Sequence, residues 1–295
     1  MSNTAPFASG PVSRTYISQR LRLHYADWGN DRAPPLILLH GGMDHCRSWD
    51  WVARRLAHRY HVIAPDLRGH GDSAWAPGST YMMANHIYDL AQLIHQQKLA
   101  PVTIVAHSLG GMIATRYAGL FPEALAKLVS IEGIGLSPHS DHAKKPIHER
   151  TRKWVEDSRD LAKRQPRRYP SIAEAVARMK DANKRLSDEQ AHHLTEHGIT
   201  QNEDGTFTWK YDPYSRPMAP YDMSREEIES LWARIDCPVL FCWGTESWHT
   251  DPGKDGRAAF FRNIRIEAFE GAGHWVHHDQ LERFTTVLDG FLAAP

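Results

Sequence analysis

Seven short apolar runs constrain this chain more than any other feature. "PLILLHGG" (35–42), "HVIAPDLRG" (61–69), "PVTIVAHS" (101–108) and "LAKLVSIEG" (125–133) are each nearly continuous in aliphatic residues and stop at glycine or a polar side chain. "RLRLHYADW" (20–28) alternates like a strand, and "CPVLFCWG" (237–244) and "IRIEAFEG" (264–271) resume the pattern late in the chain. Helix-period segments separate the early runs: Trp49, Val52, Ala53 and Leu56 fall at i, i+3, i+4, i+7, as do Ile87, Leu90, Ala91 and Ile94. Continuous apolar strands alternating with amphipathic helices require a mostly parallel, doubly wound α/β sheet covered on both faces, with right-handed crossovers.

Beyond about residue 136 the texture changes to charged, helical sequence with few strand runs. Three serines have Glu or Gln three positions later, the signature of a helix start: Ser171 with Glu174, Ser187 with Gln190, Ser224 with Glu227. "TQNEDGTFTWKYDPYSRP" (200–217) suggests a hairpin around Asp204-Gly205. The organisation this implies is a core domain of residues 1–135 and 235–295 with a helical cap, 136–234, inserted into it. Basic residues crowd positions 144–168, Arg150 among them, but interleaved acids make this a solvated helix face.

Bulk properties narrow the function. Lys plus Arg and Asp plus Glu balance at 35 each, so neither nucleic acid nor a charged membrane is expected as partner. No run approaches the roughly 18 apolar residues of a membrane span, and the start lacks the basic-then-apolar plan of a secretory signal. Cys46, Cys237 and Cys242 are scattered and odd in number, which suits a reducing, cytoplasmic setting rather than a disulfide framework. The 19 histidines are dispersed without ligand spacing, so no metal site is expected.

The strongest chemical signal is "VTIVAHSLGGMIA" (102–114): a buried strand runs into Ser108, then glycines, then a helix of small residues. A strand–serine–helix turn of the G-x-S-x-G kind, here with Ala106 in the first position, lifts a nucleophilic hydroxyl out of the sheet edge. Small neighbours are needed because the turn is tight. The backbone N–H of Leu109 then faces the same spot and can hold an oxyanion. An ordinary serine N-cap explains the serine alone, but not its partners elsewhere in the chain.

On these residues the chain resembles the α/β-hydrolase superfamily, and the serine hydrolase-like branch within it. "LLHGG" (38–42) is similar to the family's third-strand His-Gly motif, which implies a second oxyanion N–H from Gly42 or from its neighbour Met43. His40, and Asp66, Arg68 and His70 of "DLRGHGDS", are then loop-holding residues. "EGAGHWVHHDQLERF" (270–284) resembles the family's late G-x-G-H segment and implies His274 as general base, with His277 and His278 on the surface.

The triad acid has two candidates. In the usual loop after the strand ending at Gly244, the third position is Ser247, and Glu246 lies one step early. Glu132 ends the strand that follows the nucleophile's helix, next to glycines, and is the preferred reading. Haloalkane dehalogenases of one group place their acid after this strand as well, although their nucleophile is aspartate. The implied activity is cofactor-free hydrolysis of small to medium apolar carboxylic esters through an acyl-enzyme. C–C bond hydrolysis, lactonase or amidase chemistry, or a non-catalytic ligand receptor, are the alternatives.

Overall fold

The computed structural model describes residues 10–79, 81–135, 145–217 and 219–294. The strands are β1 (Val12–Ser18), β2 (Leu21–Asp27), β3 (Pro35–Leu39), β4 (His61–Pro65), β5 (Val102–His107), β6 (Leu125–Ile131), the short pair β7 (Ile199–Gln201) and β8 (Phe207–Trp209), β9 (Val239–Gly244) and β10 (Ile264–Phe269). The helices are α1 (Asp50–Leu56), α2 (Met83–Gln96), α3 (Leu109–Leu120), α4 (Ile147–Ala162), α5 (Ile172–Ala182), α6 (Asp188–Gly198), α7 (Arg225–Trp232), α8 (Val276–Asp279) and α9 (Leu281–Ala293).

Eight strands form one sheet in the order β1-β2-β4-β3-β5-β6-β9-β10. β1 and β2 run antiparallel to their neighbours, and all other pairings are parallel. Every one of the seven sequence runs becomes a strand. β1 gave no sequence signal because it is an edge strand with only Tyr16 and Ser18 buried, so it needs no apolar period.

Alternate residues of each buried strand feed two cores, one per face. Ile37 and Leu39 join the helices α2 and α3 through Leu90, Leu93, Ile113 and Tyr117. Leu36 and Leu38 point the other way and meet Trp49, which precedes α1, Val52 and Leu56 of α1, and Phe284 and Leu288 of α9. A fully buried side chain of this size contributes about 2 kcal/mol of transfer free energy, so the two layers together hold the sheet edge that carries the site.

Between β6 and β9 come α4 to α7 and the β7–β8 hairpin, which turns through Gly205 at φ +83°. Ser187 and Ser224 form reciprocal capping boxes; Ser171 accepts from the Glu174 N–H without the return bond. Helix α4 buries no residue fully, and its charges pair along its own surface, as in Lys153–Asp157 at 2.9 Å. All three cysteines are buried and free. Among the described residues no helix is long and apolar enough to cross a membrane.

Candidate active site

Strand β5 delivers Ser108 at its C-terminal end in a backbone conformation of φ 48°, ψ −115°, a left-handed φ that L residues rarely adopt. The turn is fixed from three sides. The Ser108 N–H donates to the Ile131 carbonyl of β6 at 2.8 Å. Gly41 lies so close that a methyl group on it would come within 3.2 Å of Ser108 Cβ and 2.8 Å of His107 Nδ1. A methyl on Gly111 would meet Ser130 Oγ at 2.5 Å and the Gly133 Cα at 2.7 Å. The small residues read from the sequence are therefore demanded by real backbone crowding.

The neighbouring strand β6 delivers Glu132, again at positive φ, 54°. Its side chain is fully buried. Oε1 accepts from the Gly244 N–H at 2.7 Å, and Oε2 accepts from the Ser247 hydroxyl at 2.7 Å. Ser247, the residue in the usual acid position, thus holds the carboxylate that arrives from the next strand. Glu246 turns outward, half exposed, and pairs with Arg185.

His274 follows β10 on a glycine-flanked loop. Its Nδ1 lies 3.4 Å from Glu132 Oε2. With the carboxylate accepting, Nδ1 carries the proton and Nε2 is left as the basic nitrogen. The loop is tied to the elbow by His107, whose Nε2–H donates to the His274 carbonyl at 3.0 Å. No hydrogen bond joins the Ser108 hydroxyl to the His274 ring among the described residues; such bonds are commonly long in ligand-free sites and tighten with substrate. Burial pushes the His274 pKa down from its usual value to about 3, with the nearby His249 adding to the shift. Burial raises that of Glu132, against the opposing hydrogen bonds from Ser247 and Gly244.

Of the two oxyanion candidates on the His-Gly loop, Gly42 sits against the elbow. A methyl on Gly42 would be in ordinary contact with the Leu109 side chain, at 3.9 Å, and Met43 has φ 58° and is half exposed. His40 does hold loops: it accepts the Leu67 N–H at Nε2, 2.9 Å, and donates from Nδ1 to the Gly41 carbonyl. Asp66 receives the His24 ring, the Cys46 N–H and the Asp72 N–H. Arg68 makes a bidentate pair with Asp89.

Two expectations need correction. His277 and His278 are buried, at 1% and 6% exposure. His277 stacks on Trp49 at 4.6 Å and packs against His107, the residue before Ser108. Arg150 is not merely part of a solvated face: it lines a cavity, and its Nε is buried. Two further residues pack on the His274 ring. Trp248, largely exposed, stacks on the His274 ring at 4.2 Å, and His249 lies parallel to it at 5.3 Å. Glu132, His249 and His274 bring one ligand atom each to within 4.8 Å of one another, a spacing that can admit a metal ion.

Two cavities flank the elbow. One is lined by Gly42, Met43 and Trp275 together with Met179, Trp209 and Tyr211. The other begins at Leu109 and runs along α3 to Trp232.

With this geometry in view, the comparisons with known proteins are informative. A family model described as the alpha/beta hydrolase fold matches residues 34–281. The chain is 27% identical to Esterase Rv0045c of Mycobacterium tuberculosis over 96% of its own length and 91% of that protein. It is 25% identical to Serine hydrolase-like protein 2 of Homo sapiens (90% and 88% covered) and to Epoxide hydrolase 2 of Caenorhabditis elegans (93% and 78% covered). In fold it is similar to the thioesterase domain from the curacin biosynthetic pathway, with a TM-score of 0.85 at 22% identity, covering 96% of this chain and all of that one.

Proposed function

The chain belongs to the alpha/beta hydrolase fold family, and within it we propose that this protein is a serine hydrolase cleaving carboxylic esters with Ser108, His274 and Glu132 as its triad. The observation that carries the reading is the buried Glu132 carboxylate, which is held by Gly244 and Ser247 and faces Nδ1 of His274. A receptor role gives no reason for a carboxylate to be desolvated behind a histidine beside a strained serine. The esterase and serine hydrolase-like relatives support the same choice.

In the proposed mechanism His274 Nε2 takes the Ser108 proton as Oγ attacks the ester carbonyl. Glu132 steadies the imidazolium. The oxyanion receives the Leu109 N–H and one from Gly42 or Met43, each such donor being worth roughly two to three orders of magnitude in rate. The alcohol leaves with the proton from His274, and water repeats the sequence on the acyl-enzyme. In this reading the described residues of the 136–234 segment, 145–217 and 219–234, form a cap over the site. A fluorophosphonate probe tests the nucleophile: one equivalent should attach, and peptide mapping should find it on Ser108. Absence of labelling in a folded sample sinks the proposal.

The pH dependence follows from burial of the base. His274 acts when neutral, that is, above its pKa, and desolvation lowers that pKa. Activity should therefore persist to lower pH than an exposed imidazole, with an unperturbed pKa of about 6.5, would allow. The acid limb of kcat/KM for a neutral ester is expected below about pH 6. A limb at or above 6.5 contradicts a desolvated base.

A further inference from the structure

We propose that the cavity along α3 is a subsite for a carboxylate carried by the substrate, so that the preferred ester is a monoester of a dicarboxylic acid. The inference rests on the hydrolase reading for its chemistry, but its binding test does not.

Leu109, Met112 and Arg116 fall at i, i+3, i+7 of α3 and all line the cavity, so the arginine lies about two turns from the residue next to Ser108. Arg116 is only 3% exposed. It folds back toward Ser108: Nη1 donates to the Met112 carbonyl at 3.1 Å and Nη2 to Asp222 Oδ2 at 3.1 Å. Its Nε is buried and has no partner. Arg150, from α4, lines the same cavity and also has a buried Nε with no partner. Buried N–H donors are rarely left orphaned in a native protein. Arg116 and Arg150 both line this one cavity, where an oxygen ligand reaches the two donors after a small side-chain rotation.

The charge balance agrees. Of the cavity's arginines, Arg257 is taken by Asp255, Arg225 by Glu229, and Arg116 shares Asp222. Arg150 and Arg216 have no counter-ion among the described residues. The remaining wall is apolar, with Leu109, Met112, Met223, Ile228 and Trp232. A modest positive excess in an apolar slot fits an aliphatic chain ending in a carboxylate, and arginine forks match that group's two oxygens.

Spacing sets the length. Eight residues of helix separate Arg116 from Ser108, about 12 Å at 1.5 Å per residue, and the side chain reaches back over part of it. The carboxylate therefore lies several bonds from the scissile carbonyl, as in a medium-length dicarboxylic monoester.

The experiment compares p-nitrophenyl monoesters of dicarboxylic acids, succinic to suberic, with neutral p-nitrophenyl esters of the same chain length. The ratio of kcat/KM, charged over neutral, should exceed about tenfold for at least one length, the worth of a charge-assisted hydrogen bond. Arg150→Gln should bring that ratio close to one. Arg116→Gln should lower it also, with thermal melts confirming that both variants fold. In parallel, Ser108→Ala protein is titrated calorimetrically with the free dicarboxylates and with inorganic phosphate. Dicarboxylate binding that Arg150→Gln abolishes supports the subsite even if no ester is turned over, in which case the hydrolase reading alone fails. Ester turnover without charge preference, or phosphate binding more tightly than every dicarboxylate, overturns the subsite and leaves the hydrolase reading standing.

Discussion

Glu132→Gln is expected to lower kcat for ester hydrolysis by about 10^4-fold, the loss seen when a triad carboxylate becomes an amide. The amide keeps the shape but cannot hold the Nδ1–H tautomer or balance the imidazolium. It also presents an NH2 group where Gly244 N–H and Ser247 Oγ–H now donate to an acceptor. Glu246→Gln removes only a solvent-exposed partner of Arg185, and a surface pair of that kind changes little, less than about fivefold in rate. Steady-state kinetics on the two variants decides the assignment, and the opposite ranking would falsify it. The Ser247 hydroxyl oxygen sits 2.7 Å from the Glu132 carboxylate, so Ser247→Asp in the Glu132→Gln background should recover part of the loss.

Ser108→Ala is expected to be more severe, about 10^6-fold in kcat, and to leave no burst of released alcohol. With the hydroxyl gone, the proposed oxyanion donors and the proposed base are still in place, so a residual rate above the uncatalysed one should remain. The variant should fold with native circular dichroism, because Ser108 holds its place through backbone contacts: its N–H bonds the Ile131 carbonyl and its own carbonyl accepts the Met112 N–H at 3.0 Å. A Ser108→Ala protein that retains more than a tenth of wild-type turnover would show that another residue attacks the substrate.

How legible all this was in the sequence depends on how local the cause is. The elbow, the strand ends and the glycines are dictated by neighbours within a few positions, so the motif around Ser108 and the strand before Glu132 could be read directly. The match of Ser247 to Glu132 was visible only as an oddity, a hydroxyl where an acid belongs, because the bond crosses 115 residues. The burial of His277 and His278 was misread because polar side chains at a helix start ordinarily face water. Here Trp49 and His107 cover His277, Trp51 meets His278 edge-on, and both imidazoles stay neutral as desolvation drives their pKa values down. Trp248 and His249 lie on a loop with no period to follow. Arg150 looked like one more surface charge, because a sequence shows the composition of a helix face and not what packs over it.

The left-handed backbone at residues 108 and 132 has a consequence for how such a chain persists. Each non-glycine residue in that region costs about 1–3 kcal/mol, and glycine at either place would remove most of the cost. Inheritance filtered for thermal robustness alone would drift toward glycine at both positions and lose the hydroxyl and the carboxylate together. A lineage that keeps serine and glutamate there is one in which turnover itself is under selection.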